Sequence, residues 1–252
     1  MMLNKTINKT LVAVAGLLFT LAAMNANAQP SGDMTLLIAK DKTRIYASYY
    51  RELNNNSRIA LLFHQADSNR MEYEPALSNL HVAGFDTLTV DQRSGGTKWN
   101  FDNATVKRLG ASTEYADAYP DLEAALDYAI KRKYKTILVM GSSYSASLSI
   151  VLASNNPDTV DGVAAFSPGE YFPDKNWIKA AAARLKVPLF VTGATNEKQR
   201  VKEVLINAQD KDVTLSIPLN SVHGASTFRP DLNPEGHKQN AAELVKFVER
   251  FK

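Results

Sequence analysis

Gly141-Ser142-Ser143-Tyr144-Ser145 follows an apolar run, Thr136 to Met140, and opens a helical pattern, Ala146 to Ser154. A tight strand-to-helix turn of this kind projects its central side chain, here Ser143, and backs it with a helix N-terminus. Such a terminus favours developing negative charge, so the pattern suits a nucleophilic serine. The turn is crowded, so the residues two before and two after the nucleophile must be small, as Gly141 and Ser145 are. A serine hydroxyl attacks well only when a base takes its proton, and histidine has the pKa for that work. Of the 4 histidines, His81 ends one helical segment and His237 begins another. His223, in the loop Ser221-Val222-His223-Gly224, is the candidate base. No pair of histidines has metal-ligand spacing, and no carboxylate cluster accompanies them.

The elements that must position these groups alternate along the chain. Two strands, Met34 to Ala39 and Arg44 to Tyr50, begin the fold as a less buried antiparallel edge. Strands are then expected at 58–63, 87–91, 135–140, 161–166, 187–192 and 213–217. Helices are expected at 73–83, 116–132, 143–154, 175–184, 198–208 and 237–251. Such alternation gives an α/β fold with a mostly parallel sheet and helices on both faces. Ligands of open parallel sheets bind at the carboxyl ends of the strands. His64, Asp91, Ser143, Ser167 and Thr192 fall at or near such ends. Segments 92–115, with Trp99 and Phe101, and 167–178, with Tyr171, Phe172 and Trp177, are candidate pocket walls. Neither is long enough for a large cap domain.

This layout resembles the α/β-hydrolase superfamily, particularly its dienelactone-hydrolase-like and small serine esterase branches. The resemblance covers residues 33–252 and rests on the serine turn, the loop His64-Gln65-Ala66 after the first central strand, and Val222-His223-Gly224. It implies hydrolysis of a small ester-like substrate through an acyl-enzyme on Ser143, with no cofactor or metal. The backbone N–H of Tyr144 and one from Gln65 or Ala66, with Ala66 preferred, are then the oxyanion donors. Gln65 departs from the usual Gly, and His64 is expected to brace the loop. The match fails at the acid, because the usual Gly-x-x-Asp reads Gly193-Ala194-Thr195-Asn196. Glu170 is the first expectation for that role, Asn196 the second and Glu197 the third. Arg93 is a candidate to bind a substrate carboxylate, or else to pair internally with Asp91; Tyr171 and Phe172 are candidate substrate contacts. The missing Asp also admits a different class of function, a catalytically silent hydrolase-fold protein that binds a ligand or partner.

Composition sets the outer limits. The formal charge of the 252 residues is +3, which is no electrostatic footprint for nucleic acid. Cysteine is absent, which excludes a thiol nucleophile, disulfides and a lipid-anchored cysteine. Lys5 and Lys9, the apolar stretch Leu11 to Ala23 and Ala26-Asn27-Ala28 form the three parts of a signal peptide. Residues 1–28 are therefore expected to be removed, leaving 29–252 as one domain in the periplasm or secreted, with no membrane attachment. Mass spectrometry of protein from the native host is expected to find Gln29 at the N-terminus. A membrane-held chain still beginning at Met1 would contradict this.

Overall fold

The computed structural model describes residues 32–52 and 57–252, so the expected cleavage site lies outside the described residues. The chain begins with β1 (Asp33–Ile38) and β2 (Arg44–Tyr50), followed by β3 (Arg58–Phe63), α1 (Leu77–Val82) and β4 (Asp86–Asp91). A small hairpin, β5 (Thr97–Lys98) with β6 (Phe101–Asp102), leads to α2 (Ala104–Leu109) and α3 (Tyr119–Lys131). Then come β7 (Thr136–Ser142), α4 (Tyr144–Asn155), β8 (Gly162–Phe166), α5 (Trp177–Arg184), β9 (Leu189–Thr192), α6 (Lys198–Val204), β10 (Val213–Leu215) and α7 (His237–Val248). The main sheet has 8 strands in the order β1-β2-β4-β3-β7-β8-β9-β10. β2 runs antiparallel to both neighbours, and every pairing from β4 to β10 is parallel.

The central strands are apolar on both faces because both faces are covered. Ile59, Leu61 and Phe63 of β3 enter one core with Val139 and the aliphatic residues of α4. The alternate residues Ala60 and Leu62 enter a second core with Met140, Phe166, Phe190 and Phe247. Period-two alternation thus divides one strand between two cores, as a sheet sandwiched by helices requires. Helix α4 is buried from Tyr144 to Ala153; Ser149 Oγ has no partner among the described residues, while the other buried serines find partners inside the protein. Ser147 Oγ finds them at Gly169, accepting from its N–H at 3.0 Å and donating to its carbonyl at 2.7 Å.

The elements follow the sequence pattern with local differences. The segment expected as one helix from 73 to 83 divides into a 3₁₀ stretch, Arg70–Ala76, and α1. Pro75 interrupts it, since proline has no N–H to donate and crowds the preceding turn. Segment 92–115 is not an open wall. It contains the β5–β6 hairpin, turned by Trp99 and Asn100 with φ of 59° and 54°, and α2, which Asn103 caps by accepting from Val106 N–H at 2.9 Å.

At Gly141 the backbone of α4 packs directly on β7. A Cβ there would lie 2.2 Å from Ser145 O and 2.6 Å from Ala146 Cα, both backbone atoms that cannot swing aside. Gly141→Ala is expected to destabilise the protein by about 3 kcal/mol or more, because the helix must shift. Gly110→Ala meets no atom within 4 Å and faces only its φ of 87°, so its cost is expected near 1 kcal/mol. Urea unfolding of the two variants checks the contrast; equal midpoints would contradict it.

Candidate active site

Ser143 occupies the turn between β7 and α4 with φ 60° and ψ −122°. A non-glycine residue rarely adopts this backbone, and the conformation costs on the order of 1–3 kcal/mol. Three donor groups hold the turn. Ser143 N–H donates to Phe166 O of β8 at 2.8 Å. Ser145 Oγ accepts from Ser142 N–H at 2.9 Å. The Ser145 hydroxyl proton faces Phe63 O at 2.7 Å, His64 O at 2.8 Å and Ser142 O at 2.9 Å. Ser145 therefore ties the turn to the end of β3. Neither Tyr144 N–H nor Ala66 N–H has an acceptor among the described residues, and each follows a segment fixed by this network.

His223 lies just before a 3₁₀ turn, Gly224–Phe228. Gly224 has φ 67°, and a Cβ on it would lie 2.3 Å from Ser142 Oγ. Only glycine lets the histidine loop approach the serine turn this closely. Ala225 N–H donates to Ser142 Oγ at 2.8 Å, and Gly224 N–H donates to Ser167 Oγ at 2.9 Å. His223 Nδ1 is 2.6 Å from Glu197 Oε1, which leaves Nε2 for a reacting group. His223 Nε2 and Ser143 Oγ form no hydrogen bond in this structure. Catalytic contacts of this kind are often loose before substrate binds.

Glu197 is the carboxylate that meets His223. It ends a 3₁₀ turn, Thr195–Glu197, that follows β9. Ala194 N–H donates to Glu197 Oε2 at 3.0 Å, and Arg200 pairs with Oε1. Burial by itself would raise the Glu197 pKa. Hydrogen bonds from His223, Ser167 and Ala194 outweigh burial and hold it at about 2.

Glu170, the first expectation for the acid, is elsewhere. Its carboxylate accepts from Ile178 N–H at 3.0 Å and Lys179 N–H at 2.8 Å, satisfying the first turn of α5. Asn196, the second, is exposed on the turn that carries Glu197. Gln65 N–H donates to Glu72 at 2.7 Å and is not free for an oxyanion, which leaves Ala66 of the two expected donors. Arg93 is not a free cation for substrate. It is buried, binds Asp121 through its backbone N–H and its guanidinium, and pairs with Asp41. Asp91 does not pair with it but with Arg70, at the other side of the strand end. Phe172 is buried edge-on against Trp177 at 4.7 Å and serves as a core anchor.

Tyr171 does border the site. Its hydroxyl donates to Ser167 O at 2.8 Å and lies beside Ser143. Burial raises its pKa. Tyr115, half-exposed, stacks on Tyr144 at 4.7 Å and adds a second ring near the turn. His64 is fully buried and its pKa is lowered by that burial. Its Nδ1 donates to Gln65 O at 2.7 Å, and its Nε2 accepts from Gln92 N–H at 3.0 Å, so it braces the loop as a neutral ring. A cavity of about 660 Å³ lies away from this chemistry, lined by Met34, Tyr49, Asp86, Arg132 and Tyr134. None of the groups described above lines it.

A carboxyl whose pKa falls on folding stabilises the protein above its unfolded pKa and loses that contribution as pH falls through the folded value. For Glu197 the window runs from 4.5 down to about 2. Glu197→Gln is therefore expected to shrink the loss of stability between pH 5 and pH 2 by on the order of 2 kcal/mol. Denaturant titrations at the two pH values measure it, and an unchanged loss would contradict the assignment.

No protein-family model matches the chain, and no curated protein matches its sequence. Solved structures match it well. Dienelactone hydrolase from Anabaena variabilis superposes with a TM-score of 0.67 at 15% identity, covering 86% of this chain and 96% of that one. The Pyrococcus furiosus esterase Pf2001 superposes with a TM-score of 0.67 at 17% identity, covering 87% and 90%. Est1E from Butyrivibrio proteoclasticus, solved with ferulic acid bound, gives 0.62 at 13% identity, covering 86% and 97%. The strand order, the strained serine turn and these superpositions lead to one conclusion: the chain has an α/β-hydrolase fold of the dienelactone-hydrolase-like kind.

Proposed function

We propose that this protein is a serine hydrolase that cleaves a carboxylic ester bond in a small substrate. The observation that carries the reading is the 2.6 Å contact between His223 Nδ1 and Glu197 Oε1, in a loop packed against the strained serine turn. Ser143 Oγ attacks the ester carbonyl while His223 Nε2 takes its proton. Tyr144 and Ala66 N–H groups hold the negative oxygen. The leaving alcohol takes the proton from His223 as the carbon–oxygen bond breaks, leaving an acyl group on Ser143. Water, deprotonated by His223, then releases the acid and restores the serine. Glu197 keeps the imidazole in the tautomer with its proton on Nδ1 and stabilises the imidazolium. The esterases among the structural neighbours support this chemistry by analogy of fold.

The silent-binder alternative rests on the missing Asp at position 196; the contact of Glu197 with His223, one residue later, supports the enzyme reading instead. Tyr171 and Tyr115 are the walls that a small acyl or alcohol group would meet. Export of the mature chain after removal of residues 1–28 completes the reading, with a small ester rather than nucleic acid or a membrane as partner.

Ser143→Ala and His223→Ala are expected to lose similar, large fractions of ester hydrolysis, and the double variant little more, since each group is useless without the other. Glu197→Gln is expected to lower turnover by ~10²–10⁴, whereas Glu170→Gln and Asn196→Ala keep it near wild type. A panel of chromogenic esters of differing acyl length provides the assay. Turnover that survives Ser143→Ala would rule out the serine mechanism.

A further inference from the structure

Glu72 is fully buried in the 3₁₀ stretch after β3, and no Lys or Arg among the described residues pairs with it. A carboxylate without a cation is tolerated in such a place only when hydrogen bonds saturate it. Here they come from three separate segments. Oε2 accepts from Gln65 N–H at 2.7 Å. Oε1 accepts from Gln65 Nε2 at 2.7 Å and from Ser142 Oγ at 2.8 Å, with Ser226 Oγ farther off at 3.4 Å. Every group facing the carboxylate is a neutral donor.

Each donor sits close in sequence to one working atom. Gln65 precedes Ala66, Ser142 precedes Ser143, and Ser226 lies three residues after His223. The segments are also bonded to one another through the same groups. Gln65 Nε2 donates to Ser226 Oγ at 2.7 Å, and Ser142 Oγ accepts from Ala225 N–H at 2.8 Å. The Gln65 side chain is thus itself part of the anchor.

We infer that Glu72 is a positioning residue, a buried anion that fixes the oxyanion loop, the serine turn and the histidine loop relative to one another. The inference rests on the serine-hydrolase reading above. Glu72 does not touch substrate. It acts by using up Gln65 N–H, so that Ala66 supplies the free donor, and by locking the Ser142 hydroxyl that both Glu72 and Ala225 require. Glutamine replaces it poorly: with its oxygen on Gln65 N–H, its nitrogen meets the Gln65 amide donor to donor unless that amide turns over, and it no longer accepts the Ser142 hydroxyl proton.

Labelling of the mature chain by a fluorophosphonate probe tests this, with rate, extent and concentration dependence measured separately. Glu72→Gln is expected to lower the maximal labelling rate by ~10²-fold at unchanged probe affinity, the scale of a small misplacement of reacting groups. Ser142→Ala is expected to lower it about 10-fold. The double variant should lie within about twofold of Glu72→Gln, because both changes cut one network. A variant that is merely less stable would label to a lower extent at the wild-type rate, and that result would overturn the inference. So would full additivity of the two changes. If Glu72→Gln does not fold, Ser142→Ala and Gln65→Ala decide: wild-type rates in both would overturn the positioning role. Failure of the wild-type protein itself to label would sink the serine-hydrolase reading and this inference with it, and is seen without any variant.

Discussion

One residue held in an unfavourable backbone conformation sets the terms for the rest of the site. Ser143 at φ 60° and ψ −122° has no local reason to stay there. It stays because β7 and β8 grip the turn from one side and α4 presses on it from the other. Gly141 lets the helix backbone come within a distance that any side chain would prevent. The strain is spread over a buried parallel sheet, in which β3, β7 and β8 are neighbouring interior strands. A loop could not store it.

Around that turn, the carboxyl ends of the strands are joined by buried polar groups rather than by apolar packing. Arg70 with Asp91 and Arg93 with Asp121 fix the exit of β4. His64, held neutral by burial, bridges the exits of β3 and β4. Glu72 and Ser142 join the loops after β3, β7 and β10. Buried charge of this sort adds little net stability, because desolvation offsets most of the attraction. What it supplies is directional: each hydrogen bond works at one distance and angle, so loops carried by different strands keep one relative arrangement. That is what a site assembled from residues 66, 143, 197 and 223 requires.

Much of this was legible in the sequence, because it is local. The continuous apolar run of β3 declared a strand buried on both faces, and strand, small-residue turn and helix declared the serine turn within ten residues. His223 could be chosen among four histidines because only its loop had glycine beside it and no helix to solvate it. Glu72 was hidden by an equally good local explanation. Asn69-x-x-Glu72 has the spacing of a helix-capping box, and Asn69 does cap, accepting from Met71 N–H at 3.0 Å. The glutamate instead turns inward to Gln65, which local spacing cannot reveal.

The sequence by itself determined the order of elements, the faces they bury, and the candidate serine and histidine, since each depends on periodicity or on neighbours a few positions apart. Only the tertiary structure decided the partners. Whether Glu170 or Glu197 reaches His223 depends on where β8 and β9 end relative to a loop 26 residues beyond Glu197, and the sheet order fixes that. Glu170 is drawn to the unsatisfied N–H groups of α5, while Glu197 is carried to the histidine by the turn after β9. The partners of Arg93 likewise come from positions 41 and 121, not from the adjacent Asp91. Side-chain chemistry is written along the chain, but a pairing energy acts through space, and folding alone sets those distances.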